Sequence, residues 1–195
     1  DKVIWREKEI QRLLSILNRK TKNNPVLVWE PWVWKTAIAE ALALLIAKWW
    51  VPFSMREKRI LSLDMSSLVA WTKYRWEFES RIKQIIEEAS KVENEIILFI
   101  DEIHTIIWAG WAEWTLDASN ILKPMLANGK LRCIGATTFS EFRNDFSKDK
   151  ALSRRFAKVD INEPSIEDSI TILEGLKSKY EEYHGVKYSK GAIIS

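Results

Sequence analysis

Short apolar runs alternate with segments of helical periodicity along most of this chain, and this order constrains the fold more than any other feature. Residues 77–90, for example, place Phe78, Ile82 and Ile86 on one helical face. Strands that are separated by helices predict a parallel sheet covered by helices on both faces. The runs that predict strands are residues 26–28, 59–65, 96–100, 131–136 and 159–161.

Size and composition exclude several classes of protein. The 195 residues suffice for one such domain and part of another, and 47% hydrophobic with 29% charged residues argues against a disordered chain. The sequence has no apolar run of roughly 18 residues and no secretion signal pattern at its start, so we expect a cytoplasmic protein without a membrane partner. A net charge of +3 is too small to indicate a nucleic acid as the main partner.

A lysine and a threonine follow the first predicted strand and begin the next predicted helix. Residues 29–36 match the spacing of the phosphate-binding loop G-x-x-x-x-G-K-[ST], with Lys35 and Thr36 in place but Trp29 and Trp34 where the two glycines are needed. In such a loop, backbone amides and a helix N-terminus surround the phosphates, the lysine contacts them and the hydroxyl binds Mg²⁺. Taken alone, this pattern is more typical of an ordinary capped helix.

An acidic pair follows a later buried strand. Asp101 and Glu102 come directly after residues 96–100, at the end of a strand where ligands bind in open α/β sheets. Asp101 could hold Mg²⁺, and Glu102 could polarise an attacking water as a general base. Solvated acids at a strand end are the ordinary alternative. Both motifs together, in this order and on separate strands, favour a nucleotide site.

Two further segments fit such a site but have ordinary alternatives. Thr138 ends the next predicted strand, where it could orient the water beside Glu102, although threonine is also a common helix cap. Arg154 and Arg155 follow a short predicted helix. An arginine pair is usually solvent-exposed, but in a ring-shaped ATPase it would reach the γ-phosphate bound by the neighbouring subunit.

Several blocks of this sequence are those of one family: K-N-N-P-V-L-V at 22–28, L-D-M-S-S-L-V-A at 63–70, I-L-F-I-D-E-I-H-T at 97–105, G-A-T-T at 135–138 and A-L-S-R-R-F at 151–156. The chain resembles the first AAA+ ATPase module of the Clp unfoldases (ClpA, ClpB and ClpC), and leans weakly towards ClpA. The resemblance implies an α/β fold, the P-loop AAA+ five-stranded parallel sheet with helices on both faces, as a large ATPase subdomain over residues 1–164. It implies that residues 165–195 are the truncated start of a small helical subdomain.

The resemblance also implies roles for individual residues. Those implied in binding ATP are Val3, Ile4, Trp32, Val33, Trp34, Lys35, Thr36, Ala37, Ile172 and Leu176. The Mg²⁺ ligands would be Thr36 and Asp101, and Tyr74 would grip a translocating polypeptide as a pore-loop residue. The residues implied in hydrolysis are Glu102 and Thr138, together with Arg154 and Arg155 as arginine fingers.

The function that this resemblance implies is ATP hydrolysis with Mg²⁺ in a bacterial, cytoplasmic homo-hexamer. The substrates of such a ring are unfolded or tagged polypeptides, which it threads through its central pore while unfolding any remaining structure. A protease ring is a partner of some members. A nucleic-acid motor can use the same core, but the sequence has no basic stripe to support it.

The tryptophans do not fit the family pattern. The chain has 11 Trp and only 6 Gly; every Trp lies at or before Trp114, and every Gly at or after Gly110. The tryptophans occupy segments in which the family has, or tolerates, glycine. An indole in the phosphate-binding loop would compete with the phosphates for space, so one interpretation is a nucleotide-dead interaction module. The other is a glycine codon, such as a recoded UGA, that the recorded sequence renders as Trp.

Overall fold

Five parallel strands form one sheet in the computed structural model. They are β1 (Asn24–Trp29), β2 (Arg59–Asp64), β3 (Ile96–Asp101), β4 (Arg132–Thr138) and β5 (Phe156–Ile161). Their order across the sheet is β2-β3-β4-β1-β5, so β4 lies between β3 and β1. The structure describes residues 7–30, 35–65, 68, 75–92, 95–107, 124–126, 131–144, 146–148 and 150–194.

Helices connect and flank the strands. In chain order they are α1 (Glu7–Leu17), α2 (Lys35–Ala47), α3 (Arg75–Lys91), α4 (His104–Ile107), α5 (Phe139–Asn144), α6 (Lys150–Ser153), α7 (Ile166–His184) and α8 (Lys190–Ile194). Single 3₁₀ turns occur at Phe53–Met55 and Phe146–Lys148. None of the helices in the described ranges combines the length and the apolarity that a bilayer span requires.

Each face of the sheet buries alternate residues of its strands. In β1, Leu27 and Trp29 belong to the core formed with α1 and α2, whereas Val26 and Val28 belong to the core formed with α3. This separation follows from the two-residue period of a β-strand, which sends successive side chains to opposite faces. The predicted parallel sheet with helices on both faces is confirmed.

Strand β5 begins three residues before its predicted start. Phe156 is aligned with Asn24 of β1, and its ring packs edge-on against Phe146 with 5.1 Å between the ring centroids. Arg154 and Arg155 therefore form the turn before this strand. The sequence underestimates β5 at its start because Lys158 separates Phe156 and Ala157 from the apolar run that begins at Val159.

Helix α7 follows β5 and has clear signals at both ends. Ser165 and Asp168 form a reciprocal capping box, in which the Asp168 N–H donates to Ser165 Oγ (3.1 Å) and the Ser165 N–H donates to the Asp168 carboxylate (3.3 Å). Gly185 ends the helix in the left-handed conformation, with a φ of 65°. None of the 19 residues of α7 is buried.

Candidate active site

The carboxyl ends of β1, β4 and β3 lie at one edge of the sheet. In the parallel register, Trp29 at the end of β1 is aligned with Thr138 at the end of β4, and Ile100 of β3 is aligned with Gly135 of β4. Because β4 separates β1 from β3, two strand spacings lie between them, which is about 10 Å. This is the edge at which open α/β sheets bind ligands.

Helix α2 begins beside this edge. Lys35 and Thr36 are its first residues, and five residues separate them from the end of β1. A helix N-terminus presents unpaired backbone N–H groups, which suit a phosphate. Several predicted site residues lie outside the described part of the chain: Val3, Ile4, Trp32, Val33, Trp34 and Tyr74 entirely, and Lys35, Thr36 and Ala37 in their side chains.

Residues 101–104 form a tight acidic turn at the end of β3. Within this acidic turn, Glu102 has a φ of 51°, in the left-handed region that residues other than glycine rarely adopt. The Glu102 N–H donates to Asp101 Oδ1 (2.9 Å), and the Glu102 carbonyl accepts from the Thr105 N–H (2.9 Å) and Oγ1 (2.8 Å). Such strained conformations persist where surrounding contacts hold them, and they concentrate at functional sites.

The acidic turn packs directly on β4. Ile103 is fully buried, and its N–H donates to the Ala136 carbonyl at 3.0 Å. A Cβ placed on Gly135 would lie only 2.8 Å from Ile103 Cδ1 and 3.0 Å from Ile103 Cγ2. Glycine is needed at position 135 because Ile103 fills the space that any larger residue would occupy.

Three polar atoms lie close to one carboxylate oxygen of Glu141, in the first turn of α5. Its Oε2 accepts from the Thr138 N–H (3.0 Å) and the Thr137 hydroxyl (3.1 Å), and it lies 3.2 Å from His104 Nδ1. Burial by itself would raise the pKa of Glu141. The hydrogen bonds from Thr138, the attraction of His104 and the hydrogen bond from Thr137 outweigh burial and hold this pKa below its ordinary value.

The sequence does not predict His104 or Glu141 as site residues. One signal was available, because Thr138-Phe-Ser-Glu141 has the spacing of a capping box, and the Glu141 N–H does donate to Thr138 Oγ1 (3.3 Å). The contact with His104 has no sequence signature, since it depends on how the acidic turn packs against β4.

Arg154 and Arg155 lie at the opposite end of the sheet. They precede Phe156, which is aligned with Asn24, the first residue of β1. The first and last residues of β1 are about 16 Å apart along the strand, so neither arginine reaches the acidic turn of its own chain. Arg154 is exposed and Arg155 is partly buried.

The remaining predicted residues lie on α7. Ile172 and Leu176 are one helical turn apart and are both half-buried. They are among the partly buried residues of a helix whose other residues are mostly exposed.

The carboxylates at the sheet edge suit Mg²⁺ when it is bound together with a phosphate. No group of three His, Cys, Asp or Glu side chains in the described ranges could hold a metal ion by itself. Mg²⁺ commonly takes one or two carboxylates and completes its shell with phosphate oxygens and water. Asp101, at the end of β3, provides one such carboxylate.

Family models match nearly the whole chain. The model of the ATPase family associated with various cellular activities (AAA) matches residues 30–160, and that of the AAA lid domain matches residues 165–195. The chain belongs to the AAA ATPase family. Within that family it is a Clp-type AAA+ module, as its relatives indicate.

All 195 residues align with two curated proteins, ClpB and ClpC. The chain is 53% identical to the chaperone protein ClpB of Rhodopseudomonas palustris, of which it spans 22%. It is 54% identical to ClpC, the ATP-binding subunit of an ATP-dependent Clp protease in Staphylococcus saprophyticus, of which it spans 24%. The predicted lean towards ClpA gains no support from these relatives.

Solved structures of Hsp104 have the same fold. A closed state of Hsp104 with ATPγS and FITC casein matches all of this chain and 33% of that one, with a TM-score of 0.86 and 43% identity. An S. cerevisiae Hsp104–ADP complex matches 98% of this AAA+ module with a TM-score of 0.87.

Proposed function

We propose that this chain is the ATP-binding and ATP-hydrolysing module of a Clp-type protein unfoldase or disaggregase. One observation carries the proposal. Helix α2, which opens with Lys35 and Thr36, begins at the sheet edge that holds the acidic turn, and Thr138 ends the strand between them. A triphosphate at this edge would lie between a helix N-terminus and two carboxylates.

Each residue at the edge has a role in this proposal. The backbone amides of residues 32–37 and the ammonium group of Lys35 bind the phosphates. Thr36 and Asp101 hold Mg²⁺, which neutralises phosphate charge when bound. Glu102 accepts the proton of the attacking water, and Thr138 orients that water.

The position of the arginines supports an oligomer. Arg154 and Arg155 lie about 16 Å from the nucleotide edge of their own chain, and Arg154 is exposed. Arginine fingers that cannot serve their own site can complete the site of a neighbour. We therefore propose a ring, a homo-hexamer in the full protein, with each nucleotide between two subunits.

Further roles extend to the whole protein. Residues 1–164 would be the large ATPase subdomain, and residues 165–195 would begin the lid, with Ile172 and Leu176 closing over the adenine beside Val3 and Ile4. Tyr74 would move along the pore with an unfolded or tagged polypeptide. The names of the relatives support a chaperone and, through ClpC, a protease as partner. The protein would act in the cytoplasm, and the protease would form a second ring.

A nucleotide-dead interaction module is the second candidate, favoured by Trp29, Trp32 and Trp34 in the phosphate-binding loop. We favour glycine in the native protein, because Trp49 adopts a φ of 59° after α2. The Trp50 N–H donates to the Leu45 carbonyl (2.9 Å) and the Trp49 N–H to the Ile46 carbonyl (3.0 Å), which is the Schellman motif that glycine normally closes.

Titration of a fluorescent ATP analogue tests the proposal. The full-length protein would be made in two forms, one with all 11 Trp and one with Gly at those positions. We expect saturable, Mg²⁺-dependent binding in the Gly form and its loss in the K35A variant. Binding by the Trp form would reject the nucleotide-dead module, and absence of binding in both forms would overturn the proposed function.

A further inference from the structure

We propose that Glu141 and His104 are a positioning pair that fixes Thr138 relative to Glu102. Neither residue is among those that the sequence predicts for the site. The inference rests on the proposed ATP hydrolysis, because Thr138 and Glu102 are the residues that it assigns to the attacking water. Its physical basis is one carboxylate oxygen, Glu141 Oε2, that lies within 3.2 Å of three polar atoms from two different strand ends.

On the β4 side, Glu141 fixes both threonines of the strand end. Its Oε2 accepts from the Thr138 N–H and from the Thr137 hydroxyl, and Thr137 is only 2% exposed. In return, the Thr138 hydroxyl accepts from the Glu141 N–H (3.3 Å) and lies 3.1 Å from Ser140 Oγ. The Glu141 side chain therefore holds the backbone of Thr138, and the first turn of α5, which Glu141 ties to the strand end, holds the Thr138 hydroxyl.

On the β3 side, the same oxygen holds the end of the acidic turn. His104 Nδ1 lies 3.2 Å from Glu141 Oε2 and 3.2 Å from Thr137 Oγ1, and the His104 side chain is only 14% exposed. The backbone bond from Ile103 to Ala136 is the second tie between the acidic turn and β4. Glu102 is therefore followed in the chain by two residues, Ile103 and His104, that contact β4 and α5 beside Thr138.

A capping role alone does not account for this arrangement. Helix α7 begins with an equivalent capping box, in which Asp168 takes the place of Glu141 and Ser165 that of Thr138. In that box the Ser165 N–H and hydroxyl donate to Asp168 Oδ2 (3.3 Å and 2.7 Å), and the Asp168 N–H donates to Ser165 Oγ (3.1 Å). The ties to Thr137 and His104 are what distinguish Glu141, and Asp168 therefore offers a matched control.

Steady-state ATP turnover of the full-length protein, made with glycine at the 11 Trp positions, tests the pair. We expect E141A to lower kcat about tenfold or more while the KM for ATP and the affinity for the fluorescent analogue stay within about twofold, since the contacts matter at the reacting water. D168N, which weakens the matched capping box, should leave kcat within about twofold. In a T138A background, E141A should have little further effect, because it acts through Thr138.

Conservative variants separate positioning from a folding defect. E141Q keeps the size of the side chain, and H104N keeps an N–H donor near the position of His104 Nδ1. We expect H104N to retain more activity than H104A, and E141Q to fall between the wild type and E141A. A kcat of E141A equal to that of D168N would overturn the inference, as would equal losses in H104N and H104A. A parent protein with glycine at the 11 Trp positions that does not hydrolyse ATP would overturn the proposed function itself, and the pair with it.

Discussion

Helix α2 and helix α7 end in the same backbone conformation, but with different residues. After α7, Gly185 has a φ of 65°, and after α2, Trp49 has a φ of 59°. Glycine adopts this left-handed conformation without steric cost, whereas a side chain costs about 1–2 kcal/mol there. Trp49 is 64% exposed and Trp50 is 70% exposed, and the Arg56 guanidinium lies over the Trp49 ring with Cζ 5.8 Å from its centroid, a solvent-exposed contact that is weak.

The backbone conformation at residue 49 is therefore one that suits glycine rather than tryptophan. A residue selected for its own side chain would be expected to pack into the core, whereas the indoles of Trp49 and Trp50 are mostly exposed. A Schellman motif closed by an exposed indole is instead what a glycine codon rendered as Trp would produce. The same substitution in the phosphate-binding loop would remove the two glycines that the loop needs.

The largest effect on stability is expected at Gly135, where the Ile103 side chain leaves little space for a Cβ. G135V would push its side chain into Ile103 and displace the acidic turn, so we expect a loss of about 3 kcal/mol in the free energy of unfolding. Urea denaturation measures it. G175A is the matched control, because no atom lies within 4 Å of a Cβ at that helical position, and it should stabilise the protein slightly. Equal stability of G135V and the wild type would contradict this account.

Substitutions at the C-terminal ends of α2 and α7 test the difference between Trp49 and Gly185. We expect W49G to raise the free energy of unfolding by about 1–2 kcal/mol, and G185A to lower it by about 1 kcal/mol. Differential scanning calorimetry of both variants gives the two values. W50G, which changes an exposed neighbour, should stay within about 0.5 kcal/mol of the wild type. A W49G variant that is less stable than the wild type would indicate that the indole contributes to the native fold.

Helices α5 and α7 can also be compared at their first turns, because both begin with a capping box. E141Q should lower the free energy of unfolding by about 1 kcal/mol near pH 7, and no more because Glu141 is partly exposed. Its pKa is lower in the folded state, so the carboxylate stabilises the protein above its ordinary value of 4.5 and loses that effect as the pH falls through the folded-state pKa. Denaturation of the wild type and E141Q between pH 3 and pH 8 should therefore converge at the acidic end. A constant difference across this range would contradict the assigned pKa direction.

Much of the sheet and its acidic edge could be predicted from the sequence. Each buried strand is a compact apolar run, and the run at 96–100 ends in Asp101 and Glu102. Parallel strands bring their carboxyl ends to one edge, so the acidic pair and Thr138 had to lie near each other.

The parts that could not be predicted depend on tertiary packing. The position of β4 between β3 and β1 has no local signal, and neither does the left-handed conformation of Glu102. The same holds for the contact of Ile103 with Gly135 and for the tie between His104 and Glu141. The roles of Tyr74, Val3 and Ile4 stay predictions, because these residues lie outside the described part of the chain.

ATP turnover of the E102Q variant tests whether the carboxyl edge of the sheet is an ATPase site in which Glu102 is the general base. In the full-length protein with glycine at the 11 Trp positions, E102Q should bind the fluorescent ATP analogue as tightly as the parent and hydrolyse ATP at least about 100-fold more slowly. An E102Q variant that turns over ATP at the parental rate would contradict the account.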